Sequence, residues 1–261
     1  DRKTLLPLVI AGGTAALNPE PMADFIDIFL LGEGEEMNNE LLALLRTAKA
    51  EGWSKQAFLE KASQIGGVYV PSFYKPVYND DCTINHFDVH PGAPEKVTKR
   101  IIADMNSVHF PLSPIVPSTE VVHDRVNLEL FRGCVRGCRF CQAGHVYRPI
   151  RAKSPELLAE QGKALLKNTG CQDITLLSLS SSDYRCLSEL CDELLGYCEP
   201  RSIGLSLPSL RADNFSMDIM HRIQKTRKSG LTFAPEAGSQ RLRDAINKNV
   251  TEEDLLHTCR L

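Results

Sequence analysis

No stretch of the 261 residues resembles a signal peptide or a membrane-spanning helix, so secretion and membrane insertion are not expected, and the cytoplasm is the default location. Regular cysteine spacing is also missing. Nine cysteines are present, three of them in one loop, which argues against a disulfide scaffold and for a reducing compartment. Charge of one sign is not in excess: a formal net charge of -3 carries no general nucleic-acid signal. The chain starts at Asp1 rather than methionine and stops at Leu261 inside the helical pattern Thr251-Glu-Glu-Asp-Leu-Leu, and it reads as a fragment of a longer protein. Its length allows one large domain or two smaller ones.

What is present centres on Phe131-Arg132-Gly133-Cys134-Val135-Arg136-Gly137-Cys138-Arg139-Phe140-Cys141. The run Val126 to Phe131 before it reads as a buried strand, and the glycines let the backbone curl, so three thiols share one strand-end loop. Soft thiolates in one local wrap suit an iron–sulfur cluster. Zinc is the rival, and it would need a fourth ligand such as His145 or a distant cysteine. Three simply buried cysteines would force Arg132, Arg136 and Arg139 into the interior with them. An iron–sulfur or zinc module without enzymatic activity is therefore one reading of the loop.

Residues 1–65 read as part of an open α/β sheet domain. Leu5 to Ala11 is an apolar strand running into Gly12-Gly13, Pro19 to Phe25 a short helical segment, and Ile26 to Leu31 a second strand. Gly32-Glu33-Gly34-Glu35 is too short for a phosphate fingerprint and reads as a strand-to-helix turn with acids at a helix N-terminus. Met37, Leu41, Leu44, Leu45 and Ala48 follow at helical period, and Ser54 caps a second helix to Ala62. Residues 66–122 are rich in proline and glycine and read as an irregular connecting segment with a small hairpin, in which Asp88 and His90 are a surface pair.

Residues 123–261 repeat strand, loop and helix. Strands are expected at Val126 to Phe131, Asp173 to Ser178, Ile203 to Leu207 and Leu231 to Phe233. Ser154-Pro155 opens the first helix; Leu187, Leu190, Cys191, Leu194, Leu195 and Cys198 share one face of the second, which makes those two cysteines core residues; Met217, Met220 and Ile223 mark the third. A short helix is expected near Gln240 to Ile246. Four such units make half of a TIM-like barrel or a parallel sheet, whose ligands bind at the C-terminal strand ends. Those ends carry the three cysteines, then Ser180, Ser181, Ser182 and Asp183, then Ser209 and Arg211, then Glu236 and Ser239. Asp183 is also placed to cap the next helix, and Arg211 with Asp213 to form a solvated pair.

The pattern of Cys134, Cys138, Phe140 and Cys141 after a first strand resembles the signature of the radical S-adenosylmethionine (radical SAM) enzymes. The resemblance implies that Cys134, Cys138 and Cys141 ligate a 4Fe-4S cluster, that the fourth iron position is left for S-adenosylmethionine, and that Phe140 packs near its adenine. It implies a radical-SAM (β/α) barrel, truncated here to about four units where six are common. The family's glycine-glycine-glutamate motif for the cosubstrate amine is matched in place by Ser181, Ser182 and Asp183, with a shorter carboxylate. With S-adenosylmethionine as the ligand, Arg211 is chemically suited to pair with the methionyl carboxylate, and Glu236 or a serine such as Ser209 to meet the ribose hydroxyls. The run from Glu236 to Lys248 resembles the Glu-Ser-Gly-Ser and Asn-Lys-Gly motifs of the branch with a cobalamin-binding-type (B12-binding-like) N-terminal domain; Ala237 replaces the first serine and Asn249 the glycine. Positions 8–36 resemble the last strands of that domain, a Rossmann-like fold whose cobalt-ligating histidine motif belongs upstream.

The activity implied is reductive cleavage of S-adenosylmethionine, with an electron from a low-potential donor such as flavodoxin or ferredoxin, to a 5'-deoxyadenosyl radical that takes hydrogen from a substrate. Two further implied readings are cobalamin-dependent radical methyl transfer and modification of RNA or protein. The arginines at 132, 136, 139, 148 and 151 are the visible hint of nucleic acid; the preferred reading is that they tune the cluster or bind the cosubstrate carboxylate. No residue selects a substrate.

Overall fold

Ile28, Phe29 and Leu30 are buried on both faces of the first sheet, and the N-terminal elements pack around them. The computed structural model describes residues 3–214, 217–226 and 231–261. Two units divide the chain, Asp1–Ala103 and Asp104–Leu261. In the first, β1 (Ile10–Gly12) and β2 (Ile28–Leu30) run parallel, followed by α1 (Gly34–Glu51), α2 (Lys55–Ala62) and β3 (Val68–Tyr69), which pairs antiparallel with β2. Both parallel strands are shorter than their apolar runs. Pro7 has no N–H to donate to a ladder, and the Asp27 carboxylate accepts from Val9 N at 2.8 Å and from Lys55 Nζ at 2.8 Å. The hairpin within 66–122 is β4 (Tyr74–Tyr78) with β5 (Ile84–Val89).

The Gly32 turn is closed by its own chain. Gly32 has φ +110° and bridges Arg100, whose carbonyl lies 2.1 Å from where a Cβ would be, so only glycine fits. Arg100 then reaches Glu36 and Glu40 on α1, both at 2.7 Å, and Ile102 N donates to Glu33 at 2.6 Å. The acids at the start of α1 thus hold the segment that follows the hairpin.

The second unit is a parallel sheet in the order β10-β9-β6, formed by β6 (Val126–Glu129), β9 (Asp173–Leu177) and β10 (Gly204–Ser206). Between β6 and β9 lie β7 (Phe131–Arg132), α3 (Ala143–Val146), β8 (Arg151–Ala152) and α4 (Pro155–Thr169). Ser154 caps α4, with its hydroxyl accepting from Leu157 N, and Pro155 takes the first helical position. Then come α5 (Leu187–Cys198), α6 (Met217–Thr226), α7 (Gln240–Ala245) and α8 (Glu252–Arg260).

Register explains the two faces of this sheet. Leu128 and Ile174 sit under Gly162 of α4 and Leu194 of α5; a Cβ on Gly162 would stand 3.1 to 3.4 Å from all three side chains. Each fully buried leucine or isoleucine there contributes roughly 1.5–3 kcal/mol. Asn127, Thr175 and Ser206 pair side by side on the opposite face, a polar row below the strand ends. Thr175 Oγ1 is buried with no hydrogen-bond partner.

The fourth strand differs from its expectation. Leu231 to Phe233 forms one parallel bridge, Leu210 with Phe233, and Pro235 two residues on has no N–H to extend it. No closed barrel exists among the described residues; the barrel expectation reduces to a three-stranded parallel sheet with a single bridge at its edge.

Leu187, Leu190, Cys191, Leu194, Leu195 and Cys198 are all buried on α5, as their spacing predicts. Burial pushes the Cys191 thiol up to about 12 and the Cys198 thiol up to about 11, which suppresses the reactive thiolate. A maleimide pulse at pH 8 on the native, cluster-free protein is expected to label exposed Cys82 and Cys259 and to spare Cys191 and Cys198 until denaturant is added. Native-state labelling of Cys191 as fast as Cys82 would contradict this core.

Candidate functional site

The cysteine loop is held from two sides. On the strand side, Phe131 pairs with Ala152 and Arg132 with Arg151, and Gly133 (φ +108°) passes so close to the Tyr147 and Pro149 carbonyls that a Cβ would lie under 3 Å from both. On the far side, Arg139 N donates to Ile246 O at 2.9 Å, Arg139 Nη1 to Ala245 O at 2.6 Å, and Asn247 Nδ2 to Gly137 O at 2.9 Å. Cys141 N closes a turn on Cys138 O at 3.0 Å. Cys138 is buried, Cys134 and Cys141 are partly buried, and all three are free thiols. Phe140 is exposed at the tip of the turn.

A chain of ion pairs joins this loop to the ends of the following strands. Arg136, between two of the cysteines, donates through Nε to Asp183 Oδ2 at 3.0 Å and through Nη2 to Asp183 Oδ1, a two-pronged pair. Its Nη1 reaches Asp213 Oδ2 at 3.4 Å. Asp213 also takes both prongs of Arg211, at 2.8 and 2.9 Å, and Arg211 donates to Lys248 O at 2.9 Å. Lys248 Nζ in turn meets Glu236 Oε1 at 3.1 Å. Asp183, Arg211 and Glu236, which follow β9, β10 and the Phe233 bridge, are therefore linked to the cysteine loop through Arg136, Asp213 and Lys248. The neighbouring Asp183 carboxylate holds the Arg136 guanidinium above its ordinary value, against the opposing effect of burial.

The remaining expected residues divide. Ser181 is buried and spends its hydroxyl on Ser178 and on Leu176 O, at 3.1 and 3.2 Å. Ser182 lies in the same single turn as Asp183, and Ser180 Oγ is buried with no hydrogen-bond partner. Ser209 and Glu236 both have positive φ, 60° and 68°, an unfavourable conformation for these residues at two adjacent strand ends. Ser239 caps α7. The helix-cap reading of Asp183 is corrected: Cys186 occupies the N-cap of α5 with no side-chain bond, because the Asp183 carboxylate is drawn to Arg136. The Arg211–Asp213 pair is likewise buried rather than solvated.

Sequence reasoning missed the roles of Arg136, Asp213 and Arg243. The last is 1% exposed, and its guanidinium donates to the Val250, Ala237 and Gly238 carbonyls and to Gln240 Oε1. The arginines of the loop are also spent internally: Arg132 forks Glu129 at 2.9 and 3.0 Å, and Arg139 binds the Ala245 carbonyl. Two clefts of about 870 Å³ lie elsewhere, one between α4 and α5 and one lined by Asp27, Lys55 and Tyr74, and the cysteines line neither.

Residues 128–261 match the radical SAM superfamily, and residues 1–71 match the N-terminal region of radical SAM proteins. The chain belongs to the radical SAM superfamily, a family of enzymes. An uncharacterized protein of Methanocaldococcus jannaschii is 31% identical over 253 residues, 95% of this chain and 47% of the relative. A putative methylthiotransferase of the same organism is 26% identical over 148 residues, 52% of this chain and 32% of its own length. Among solved structures, the radical S-adenosylmethionine methyltransferase TsrM from Kitasatospora setae, with cobalamin and a 4Fe-4S cluster bound, matches at a TM-score of 0.61 and 14% identity, over 97% of this chain and 49% of that one. TsrM with tryptophan substrate and an S-adenosylmethionine analogue matches at 0.56 and 14%, over 97% and 47%. At that identity the likeness is one of fold, and the chain spans between about a third and a half of the length of these relatives.

The donor set fits an iron–sulfur cluster, since three unpaired thiols on one anchored loop are soft ligands for iron. Among the described residues the side chains are not gathered into a preformed metal site. Among the described residues of the first unit no comparable set is gathered for cobalt: His90 is stacked on Phe73 and held by Gln56, and His86 pairs with Asp88 on the exposed hairpin.

Arg243→Met would leave the Val250, Ala237 and Gly238 carbonyls without their donor. We expect a loss of roughly 2 kcal/mol or more in stability, with faster amide exchange over 236–250. Unchanged exchange across that segment would contradict the role given to Arg243.

Proposed function

We propose that the protein to which this chain belongs is a cobalamin-dependent radical SAM methyltransferase. The observation that carries this reading is the fold match across 97% of the chain, N-terminal and cysteine-bearing units together, to a radical SAM methyltransferase with cobalamin and a 4Fe-4S cluster bound. It is placed ahead of cleavage of S-adenosylmethionine followed by hydrogen abstraction alone, because that simpler chemistry does not call for the N-terminal unit. Its support for cobalamin is the fold likeness rather than any cobalt ligand in this chain.

Cys134, Cys138 and Cys141 would hold the 4Fe-4S cluster. When bound, it supplies a low-potential electron and an iron with an open coordination position. The chain's own groups then bind and orient. Asp183 presents a carboxylate to the ammonium of S-adenosylmethionine, and Ser209 and Glu236 stand at the next two strand ends for its hydroxyls. Arg211, fixed by Asp213 and the Lys248 carbonyl, keeps the β10 end rigid and adds positive charge opposite the methionyl carboxylate. Phe140 offers an exposed ring for a flat base. The polar row Asn127, Thr175 and Ser206 faces the space beneath. An electron donor of the flavodoxin or ferredoxin kind is part of this proposal.

A second reading rests on the partial match to a putative methylthiotransferase: transfer of sulfur together with methyl. Both readings are tested by one experiment on the full-length protein. Anaerobic reconstitution is expected to give about four iron and four sulfide per chain, lost on Cys138→Ala, and label from methyl-labelled S-adenosylmethionine should enter a product only when cobalamin is added. Label accompanied by sulfur, without cobalamin, would favour the second reading. Tetrahedral zinc at the loop under iron-replete, reducing conditions would sink both.

A further inference from the structure

Arg136 sits in the middle of the cysteine loop, yet its guanidinium crosses to the ends of β9 and β10. It meets both oxygens of Asp183 and stands 3.4 Å from Asp213. The Arg136 side chain is 26% exposed and that of Asp183 12%, so the pair is mostly out of water, where removing one partner strands the other's charge. Asp183 is the carboxylate that the proposed function assigns to the cosubstrate ammonium. A second cation arriving there meets a carboxylate already held at both oxygens.

Asp213 makes the arrangement two-sided. Arg211 uses one lone pair on each Asp213 oxygen, and a carboxylate has about four such sites, so Asp213 has room for a second guanidinium. Arg136 displaced from Asp183 would keep a charged partner and avoid the large cost of a stranded, half-buried cation. The rest of the loop is pinned separately, at Gly137 by Asn247 and at Arg139 by Ala245 and Ile246. Motion of Arg136 is thereby confined to the stretch from Cys134 to Arg136.

We infer that Arg136 is a latch on the cosubstrate site: it occupies Asp183 in the empty site, and the S-adenosylmethionine ammonium competes with it for that carboxylate, passing the guanidinium to Asp213 and resetting the backbone beside Cys134. The inference rests on the proposed radical SAM role of Asp183. It makes Arg136 a positioning residue that couples cosubstrate binding to the geometry of the cysteine loop, through two discrete arrangements of one side chain. A merely structural Arg136 would support cosubstrate binding; a latch opposes it.

The test uses the full-length protein and the variants Arg136→Gln, Arg136→Lys, Asp183→Asn and the Arg136→Gln/Asp183→Asn double. Before reconstitution, amide exchange over residues 133–141 is expected to rise in both Arg136→Gln and Asp183→Asn, more in Arg136→Gln because it also loses Asp213, and no further in the double than in Arg136→Gln, because both singles remove the Arg136–Asp183 pair. After anaerobic reconstitution, equilibrium dialysis with S-adenosylmethionine should give opposite signs. Arg136→Gln should bind about threefold to tenfold tighter, the range expected from relieving one partly buried ion pair, and Asp183→Asn more weakly, with Arg136→Lys between wild type and Arg136→Gln. Unchanged or weaker binding by Arg136→Gln overturns the latch, as does independent, additive exchange in the two single variants. If fully clustered wild type binds no S-adenosylmethionine while the exchange coupling is present, the functional reading fails and the competition with it. Wild-type binding that Arg136→Gln weakens overturns the latch alone.

Discussion

One half-buried guanidinium, that of Arg136, ties the cysteine loop to the sheet. Its two carboxylate partners come from the turns after β9 and β10, so a single side chain sets three strand ends against one another. Without it the loop would rest on Gly133 against the Tyr147–Pro149 segment, on the Arg139 bonds to the Ala245 and Ile246 carbonyls, and on Asn247 at the Gly137 carbonyl. Those contacts fix where the loop begins and ends, whereas Arg136 fixes which way it faces. Arg211, Asp213 and Lys248 extend the same network to Glu236, and Arg243 secures the segment that carries Lys248.

Much of this was legible in the residues, and the reasons are local. The caps at Ser54 and Ser154 were readable because each precedes a helical run, and each accepts from the backbone N–H three residues further on. The buried face of α5 was readable from its 3.6-residue period alone. The replacement of a motif glycine by Asn249 also has a local cause: φ is +55° there, a left-handed conformation that asparagine tolerates nearly as well as glycine.

What escaped the residues was non-local. Arg136 and Asp183 are 47 positions apart, and Arg136 and Asp213 are 77 apart; nothing in the run of either segment marks the other. The same holds for strand lengths. Asp27 competes for the Val9 amide and shortens the first sheet, and Pro235 stops the fourth strand at a single bridge, so apolar runs overstate both. Asp183 was placed at the right strand end, but its partner lies in the cysteine loop rather than at the helix behind it.

The central claim is that the cysteine loop and the ends of the strands after it form one site. Crystals of the full-length protein, reconstituted anaerobically with iron and sulfide, would test it through the anomalous iron signal. The account predicts one compact iron peak bounded by Cys134, Cys138 and Cys141, with the Asp183 and Glu236 carboxylates facing the same space. Iron bound away from that loop, or at the loop with both carboxylates turned to the opposite end of the strands, would contradict it.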